Sequence, residues 1–583
     1  MLEVLRHLPP GVPLMLGALL TVCLPARVRR PLLVALPVLS LWHMAGCFEL
    51  GDQVHVNWLG LRLTPIRVDR LALAWAYIFH FAALVVAIYQ WADEHPLTPA
   101  MSLSYAGGAI AAVFAGDLLS LFLGWEWTAL ASVFLVWNGR QPGGTATGIR
   151  YLLWQVGSGV LLLSGAILLL SQTGELGFGG PHQVGIYTAQ VSTWAGRLIL
   201  IAFAIKAGFP LLNTWLLDAY PAASPAGTVV LSAFTTKLAI YALLRGFAGW
   251  EPLIAVGCVM AIVPLIQALI EDDARRTLVY CLINQLGFMV VAIGVGTPLA
   301  VNGVAAHAIG HILYKSLLLM AIGSTAQLAD TTRCSKLYQV AKVLPWVAVL
   351  YMVGAAAMAL PLTCGFVTKS ISLSAIAEAH RQTAWLILWA ATAGVVFVCA
   401  CRLPYVLFFG PKSSHDQVER HSKPAVVPTS HYVAMTVTAI ACITLGVAPE
   451  WLLYRHLPNP IEYHPYTMPH VVGQLQLIAW AIVAFSLLAR FELYPVVTSG
   501  FNLDVDWLWR RGLKGLMEAA WRGSQAIQTR ASEANRQSRN KLLSRLAYSF
   551  HEHGPRGLFA STGQMACWAA ILLIIFLIAY YRK

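Results

Sequence analysis

Long apolar runs separated by short polar segments dominate this sequence. A helix that crosses a bilayer needs about 20 consecutive apolar residues. Sixteen runs approach that length, at about 11–26, 31–49, 68–92, 98–115, 117–137, 150–172, 192–218, 224–248, 252–270, 277–296, 300–327, 343–377, 383–409, 430–448, 471–491 and 562–581. A transmembrane β-barrel would show short alternating segments instead. The pattern therefore predicts an all-α polytopic membrane protein with about 16 transmembrane helices.

Two of these runs, 192–218 and 343–377, are unusually long and are interrupted by proline and glycine. Pro210 follows Lys206 by four residues, so a helix must break or kink beside the lysine. Interrupted helices at corresponding places indicate an internal repeat of the transporter type. We predict two five-helix repeats with broken helices, the first over about 98–248 and the second over about 252–409.

The remaining regions divide into four parts. Residues 1–97 form N-terminal helices, and their segment 51–67 alternates like a short hairpin on the outer face. Residues 410–500 form further membrane helices. Residues 503–550 are too polar to span a membrane, and 562–583 form a final anchor.

The polar segment 503–550 is amphipathic and lacks proline. From Arg510 to Arg545 it carries nine Lys/Arg against two acidic residues, Glu518 and Glu533. If helical throughout, it would extend roughly 60 Å along the cytoplasmic side, with Trp507, Trp509 and Leu516 facing lipid or protein. Two interpretations remain open: a surface helix that touches only headgroups, or a lateral strut that lies along neighbouring helices or subunits.

Composition supports the membrane assignment. The 583 residues are 58% hydrophobic and only 11% charged, whereas a soluble chain would carry about 25% charged residues. The net charge of +13 reflects basic loops and the basic segment, and we expect no nucleic-acid partner.

Loop charges predict the orientation. Alternate loops carry thirteen Lys/Arg in one set against seven in the other. The positive-inside rule places the richer set in the cytoplasm and the N-terminus outside. We expect a multi-pass protein of the bacterial inner membrane whose first apolar run is a transmembrane helix, not a cleaved signal. The richer set is Arg27, Arg29, Arg30, Arg140, Arg150, Arg275, Arg276, Arg333, Lys336, Lys342, Lys412, Arg420 and Lys423.

Cofactor chemistry is not predicted for this chain. Its ten cysteines are scattered without a CxxC pair, so we interpret them as small packing residues and expect neither disulfides nor an Fe–S cluster. No phosphate loop, nucleotide fingerprint, haem attachment motif, quinone site or catalytic triad is present. We therefore expect no cofactor, no metal and no bond chemistry in this chain alone.

Ionisable residues inside the apolar runs are costly, and they usually line ion pathways. Glu126 lies deep in the run that begins near Asp117, which could simply cap a helix. Lys206 is its natural partner by chemistry. Burial disfavours the charged form of an amine and a nearby carboxylate favours it, so the amine can bind or release a proton as the pairing changes. Lys237 lies about mid-helix in the next run. A neutral, hydrogen-bonded Glu126 and lysines that tie backbone carbonyls are the alternatives.

The second half carries a similar set. His307, His311 and Lys315 fall at i, i+4 and i+8 and line one helix face. A hydrated proton path is favoured over a metal site, because no HExxH motif or nearby carboxylate supports metal binding; packing histidines are the alternative. Lys369 follows Pro361 and Gly365 in the second broken run and echoes Lys206. Asp117, Lys315 and Arg402 are accessory candidates, with Arg402 expected to snorkel near a helix end.

These motifs resemble the antiporter-like subunits shared by respiratory complex I, Mrp-type cation/proton antiporters and membrane-bound hydrogenases. The resemblance covers roughly residues 98–410 and rests on several blocks in order, namely GDLLSLFLGWEW, IKAGFPLLNTWLLDAYPAASP, LSAFTTKLAIYALLR, IEDDARRTLVYCLINQLGF, HAIGHILYKSLLL and LPLTCGFVTKS. It implies fourteen core helices that include two inverted five-helix repeats with broken helices. It also implies proton translocation along a polar axis at mid-membrane. It implies a glutamate–lysine pair at Glu126 and Lys206, a central relay at Lys237, connecting histidines at His307 and His311, and a terminal charge at Lys369.

The sequence departs from the family pattern at three positions. Leu217 stands where the usual WLPDA motif has proline, Asn213 replaces a frequent histidine, and Gly310 replaces a common asparagine. The motifs of the central region resemble most those of Mrp D-type and hydrogenase-type subunits. The basic segment and the last anchor instead resemble the distal subunit of complex I, which carries a lateral helix.

Three functions are compatible with the sequence. The first is a non-redox subunit that translocates protons, or exchanges them for a cation such as Na⁺, beside other membrane subunits and an Fe–S redox arm. The second is a proton-driven coupling subunit for a cytoplasmic inorganic-carbon uptake partner. The third is a structural scaffold with vestigial charges, which the retention of all five ionisable motifs disfavours.

Overall fold

Helices form nearly all of the described chain. The computed structural model describes residues 6–139, 143–179, 183–337, 339–410, 426–494, 512, 514–550 and 562–581. The chain divides into two units, Met1–Asn502 and Leu503–Lys583. Several residues used to predict orientation and lateral contacts lie outside the described residues, namely Arg140, Lys412, Arg420, Lys423, Trp507 and Trp509.

The first unit begins with two helices and a hairpin. Helices α1 (Val12–Leu20) and α2 (Ala26–Cys47) precede strands β1 (Gln53–Trp58) and β2 (Leu61–Arg67), which pair antiparallel. The hairpin predicted over 51–67 is therefore present. The next helix, α3 (Arg70–Tyr89), starts at Asp69, whose side chain accepts a hydrogen bond from the amide of Ala72.

The two segments predicted as repeats each supply five apolar crossings. The first contains α4 (Leu97–Val113), α5 (Leu118–Trp137), α6 (Gly144–Thr173), α7 (Trp194–Ala207) with α8 (Thr214–Ala222), and α9 (Pro225–Ala233) with α10 (Thr235–Phe247). The second contains α11 (Pro252–Ile270), α12 (Ala274–Val295), α13 (Pro298–Ala329), α14 (Pro345–Ala356) with α15 (Cys364–Glu378), and α16 (Gln382–Val396), which continues into π-helical turns over Phe397–Arg402 and Tyr405–Phe409. In both segments the fourth crossing is divided.

Three helices complete the first unit, α17 (Thr429–Val447), the short α18 (Pro449–Leu452) and α19 (Met468–Arg490). Across the described residues of both units, eleven helices are long and apolar enough to cross a membrane, and four shorter apolar helices accompany them. The protein is therefore a multi-pass helical membrane protein.

The helix of the first broken crossing ends beside Lys206, as the sequence predicts. α7 ends at Ala207 because Gly208 turns left-handed, with φ +73°, a conformation that glycine adopts without steric cost. Pro210 lies beyond that end. The indole Nε1 of Trp215 donates to the Ile205 carbonyl at 2.9 Å, which satisfies one of the carbonyls that a helix end leaves open.

A further interruption was not predicted. The apolar run that contains α9 and α10 shows no internal glycine or proline at its centre, yet the helix breaks at Phe234. The amide of Thr235 donates to the hydroxyl of Tyr105 at 2.7 Å, and Lys237 Nζ donates to the Ser232 carbonyl at 2.6 Å. These side chains replace helical hydrogen bonds that the break removes.

Helix α13 occupies the centre of the first unit. It packs against α12, α14 and α15 of its own segment and against α9 of the other. In the most apolar window of α13, 94% of the residues are buried, against 17% in that of α19. The polar side chains in the central part of α13, such as His307 and His311, are therefore enclosed by other helices.

The second unit contains α20 (Lys514–Phe550) and α21 (Thr562–Tyr581). With 37 residues, α20 extends roughly 55 Å. Its described side chains are exposed, including Leu516 and Trp521, and Arg522 pairs with Glu518 one turn away at 3.8 Å. The segment predicted as a lateral helix is thus helical over Lys514–Phe550. Whether this helix contacts lipid headgroups or neighbouring protein stays a prediction.

We predict that Asp117→Ala lowers the free energy of unfolding by about 1–2 kcal/mol. The Asp117 carboxylate caps α5 by accepting the Ser120 amide at 2.8 Å and also fixes the hairpin by accepting the Thr64 amide at 2.5 Å. Thermal unfolding of the detergent-purified protein measures the change.

Asp52→Ala is the matched control, because Asp52 is exposed and accepts the Glu49 amide in a loop. We expect its change to stay within about 0.5 kcal/mol. Equal losses in the two variants would contradict the structural role assigned to Asp117.

Candidate functional site

Lys206 lies in the last turn of α7, at the break, with no exposed surface. Its Nζ donates to the Trp125 carbonyl at 2.7 Å and to the Thr128 hydroxyl at 3.3 Å, both on α5. The same nitrogen lies 4.3 Å from the centroid of the Trp125 ring, a cation–π contact. Neutral acceptors therefore hold this buried amine.

Glu126 follows Trp125 on α5, and its carboxyl group lies against α6. A Cβ added at Gly159 would overlap the Glu126 carboxyl, whose buried Oε1 has no hydrogen-bond partner among the described residues. Glu126 and Lys206 interact electrostatically, yet no ion pair within 4.0 Å joins these two described residues. The structure thus places the two predicted partners near each other with their pair open.

Lys237 lies in the first turn of α10, whereas the sequence predicts a position about mid-helix. The break at Phe234 is the reason, because it brings the lysine to a helix start. Besides the Ser232 carbonyl, its Nζ contacts the Thr236 hydroxyl at 3.3 Å. The backbone carbonyl of Lys237 accepts from the indole of Trp75 at 3.1 Å, so both ends of the residue are held.

His307 and His311 stack on α13 with ring centroids 6.1 Å apart and an interplanar angle of 12°. Both are fully buried. His307 Nδ1 lies 3.5 Å from the Thr368 hydroxyl of α15, whereas His307 Nε2 and both nitrogens of His311 have no hydrogen-bond partner in the described part of the chain. Since buried polar groups are normally hydrogen-bonded, this face presents several open hydrogen-bonding atoms.

Lys369 approaches the same histidines from α15. It is 3% exposed, its Nζ has no hydrogen-bond partner among the residues that the structure describes, and it lies 5.4 Å from the centroid of the Phe288 ring. Lys237, Lys369 and Lys315 all act electrostatically on His311. The second half of the site is therefore a cluster of titratable groups from α10, α13 and α15.

The three accessory candidates make structural contacts. Asp117 caps α5, as described above. Lys315 Nζ donates to the Leu278 carbonyl of α12 at 3.1 Å. Arg402 is 3% exposed, so it does not snorkel as expected; its guanidinium donates to the Glu271 carbonyl at 2.6 Å, just past the end of α11. A cation at a helix C-terminus satisfies carbonyls that the helix leaves open.

A polar chain beside the histidines was not predicted from the sequence. The Tyr314 hydroxyl donates to Gln285 Oε1 at 3.0 Å, Gln285 Nε2 donates to Asn284 Oδ1 at 2.5 Å, and the rings of His311 and Tyr314 are 5.3 Å apart. Two adjacent amide side chains within the apolar run 277–296 could have indicated this chain in the sequence. Gln155 on α6 was not predicted either. It is fully buried, and both of its amide atoms lack a hydrogen-bond partner among the described residues.

The predicted relay residues therefore form two groups. The first group is Glu126 on α5 and Lys206 on α7. The second group is His307 and His311 on α13, with Lys237 of α10 and Lys369 of α15 beside them. Both lysines are described, and no hydrogen bond directly joins Lys206 to Lys237. Within the part of the chain that the structure describes, no group of three or more His, Cys, Asp or Glu is placed to hold a metal ion.

The chain is similar to several known membrane proteins. The family model described as "NADH:quinone oxidoreductase/Mrp antiporter, TM" matches residues 115–395. The hydrogenase-4 component B of Escherichia coli is 25% identical over 360 residues, which cover 56% of this chain and 53% of that protein. The D-type subunit of the Na⁺/H⁺ antiporter of Alkalihalophilus pseudofirmus is 27% identical over 364 residues, which cover 59% of this chain and 71% of that protein.

A solved structure shares the fold. The Mrp complex of a Dietzia species superposes with a TM-score of 0.71 at 24% identity, covering 89% of this chain and 60% of that chain. The chain thus spans about half the length of the hydrogenase component and somewhat more of the Mrp chain.

Over residues 115–395 the chain matches the membrane domain of that family, and its fold is the one that the Mrp complex shows. The chain is therefore similar to antiporter-like membrane subunits of Mrp antiporters and hydrogenases.

We predict that Gly159→Ala lowers the melting temperature of the detergent-purified protein. Alanine normally stabilises a helix relative to glycine by roughly 0.5–1 kcal/mol, but at this position its Cβ would displace the Glu126 carboxyl group.

Gly157→Ala is the control on the same helix, because an added Cβ there meets nothing within 4 Å among the described residues. We expect that variant to melt at the wild-type temperature or above it. If both substitutions raised the melting temperature equally, Gly159 would not hold the Glu126 carboxyl group.

Proposed function

We propose that this chain translocates protons, alone or in exchange for a cation such as Na⁺, as a membrane subunit of a multisubunit energy-converting complex. One observation carries the proposal: Lys206 is fully buried and held by neutral acceptors, while the Glu126 carboxyl lies nearby with an oxygen unpartnered among the described residues. Buried amines at membrane depth are expensive and are retained where they act on ions. The family relationship supports the same conclusion.

The relay works through changes of pairing. When Lys206 moves from the Trp125 carbonyl to Glu126, the amine stays charged, and when the pair opens, burial favours release of its proton. The proton then passes to Lys237, to His311 and His307, and finally to Lys369. Histidine suits the connecting positions because it gains and loses a proton near neutral pH.

The environment and orientation belong to the same proposal. The proposed orientation has the N-terminus outside and the loop that holds Arg333 and Lys336 in the cytoplasm of a bacterial cell, and the excess of Lys/Arg in alternate loops supports it. The partners are other antiporter-like and small membrane subunits, with an Fe–S redox arm or ion binding as the event that changes the first pair. The relatives with printed functions, a hydrogenase component and antiporter subunits, support such partners.

An alternative is a proton-driven coupling subunit for a cytoplasmic inorganic-carbon uptake protein. The same relay would serve this coupling subunit, so the identity of the partner protein distinguishes the two proposed functions. Isolation of the intact complex from native membranes, followed by mass spectrometry, separates them. Redox or small antiporter subunits support the energy-converting complex, whereas a single large zinc protein supports the alternative.

We predict that Lys206→Ala reduces coupled proton transport at least about tenfold while the complex still assembles. Alanine removes the amine and leaves the Trp125 carbonyl and the Glu126 carboxyl without it. Proton uptake into inside-out membrane vesicles, followed with a pH-sensitive dye, measures transport, and native gel electrophoresis measures assembly.

Lys336→Ala is the matched control, since this lysine lies in a loop after α13, away from the relay residues. It should transport at the wild-type rate. Normal proton flux in an assembled Lys206→Ala complex would overturn the proposed relay and leave the scaffold interpretation.

A further inference from the structure

The gap between Lys206 and Lys237 contains a set of buried hydroxyl groups. They are Thr128 and Ser132 on α5, Tyr151 on α6, Tyr105 on α4, and Thr235 and Thr236 on α10, and each is at most 1% exposed. None carries a charge, so a search of the sequence for ionisable membrane residues does not find them. Their positions on four helices bring them together only in the fold.

The set touches both lysines. At one end, Lys206 Nζ lies 3.3 Å from the Thr128 hydroxyl. At the other end, Lys237 Nζ lies 3.3 Å from the Thr236 hydroxyl, the neighbour of Thr235. Both lysines also bind one backbone carbonyl, so among the described residues each amine has a hydroxyl as its only side-chain hydrogen-bond partner.

Two hydrogen-bonded pairs form the middle of the set. The Ser132 hydroxyl lies 2.7 Å from the Tyr151 hydroxyl, and either oxygen can be the donor. The Thr235 hydroxyl contacts the Tyr105 hydroxyl, again with either oxygen as donor. Tyr151 lies close enough to Thr235 for their side chains to influence each other, and a small movement of either hydroxyl would join the two pairs. Reversible donor and acceptor roles are what a proton-conducting chain of hydroxyl groups requires.

One step in the set is longer. Thr128 and Ser132 occupy positions i and i+4 of α5, so they lie on one helix face about one turn apart. A single water that accepts from one hydroxyl and donates to the other spans such a distance. Glu126 lies two residues before Thr128 on α5. Glu126 and the first hydroxyl to receive the proton are therefore on the same helix.

We infer that Thr128, Ser132, Tyr151, Thr235 and Thr236 form a hydroxyl bridge that carries the proton from Lys206 to Lys237. This inference rests on the proposed function and names residues that it leaves unassigned. Lys206 gives up one proton and becomes a neutral amine. Each hydroxyl accepts a proton on a lone pair and releases its own to the next, and neutral Lys237 accepts the last one and becomes an ammonium. No electrons move, and each hydroxyl is restored when it reorients.

Tyr151→Phe is the decisive variant, because it removes one hydroxyl from the middle of the bridge and keeps the ring. We expect proton transport by the intact complex in vesicles to fall about tenfold and the ratio of rates in H₂O and D₂O to rise, since the interrupted proton step becomes rate-limiting. Tyr187→Phe is the control: that tyrosine is 3% exposed, and its hydroxyl donates to the Gly177 carbonyl away from both lysines. It should keep the wild-type rate and isotope ratio.

Ser132→Ala and the double variant Ser132→Ala/Tyr151→Phe complete the test. Because both hydroxyls lie on one bridge, the double variant should be no slower than the slower single variant, whereas independent effects would multiply. This comparison also decides the outcome if Tyr151→Phe alone assembles poorly, because Ser132→Ala removes only one small group.

The outcomes separate this inference from the proposed function. Loss of transport in Lys206→Ala together with wild-type rates and isotope ratios in Tyr151→Phe and Ser132→Ala would overturn the bridge and leave the relay intact. Unchanged transport in Lys206→Ala would overturn the relay itself. Slowed transport with a raised isotope ratio in both bridge variants, and a wild-type Tyr187→Phe control, would establish the bridge.

Discussion

A buried ammonium at membrane depth has no bulk water beside it, so the protein itself must supply its acceptors. Lys237 donates to the Ser232 carbonyl at the break between α9 and α10. Lys206 lies at the end of α7 and reaches the Trp125 carbonyl within the continuous helix α5. Both lysines therefore lie at helix interruptions, and the rest of the site is arranged around them.

The proposed relay requires its polar groups to change partners, and their contacts suit that requirement. Charged groups held by an optimal ion pair would stay in it, since breaking a buried pair costs several kcal/mol. Here Lys206 rests on neutral oxygens with Glu126 close by, and the nitrogens of His311 and the ammonium of Lys369 have no hydrogen-bond partners among the described residues. Groups with unfilled hydrogen bonds can exchange protons through small movements, because few strong contacts must be broken first.

Structural charges in the same bundle behave differently. Arg245 donates to both carboxylate oxygens of Asp69, at 2.5 and 2.6 Å, and to the Tyr241 hydroxyl. Its charge is therefore paired and hydrogen-bonded. Glu126, His311 and Lys369, by contrast, each have a polar atom without a hydrogen-bond partner among the described residues. Burial alone would not have made that distinction, because Arg245 is 1% exposed and Lys369 is 3% exposed.

The sequence by itself determined the membrane class, the interruption beside Lys206, the hairpin near the N-terminus and the types of residue that form the site, because apolar length, glycine and proline positions and buried charge are local properties. Only the tertiary structure decided that α9 and α10 are separate, that the glutamate–lysine pair is open, and that Asn284, Gln285 and the hydroxyls around Tyr151 lie beside the charged residues. Those features depend on side chains that meet across four or more helices, and an uncharged hydroxyl in an apolar run has the same local pattern whether it packs against lipid or against a lysine.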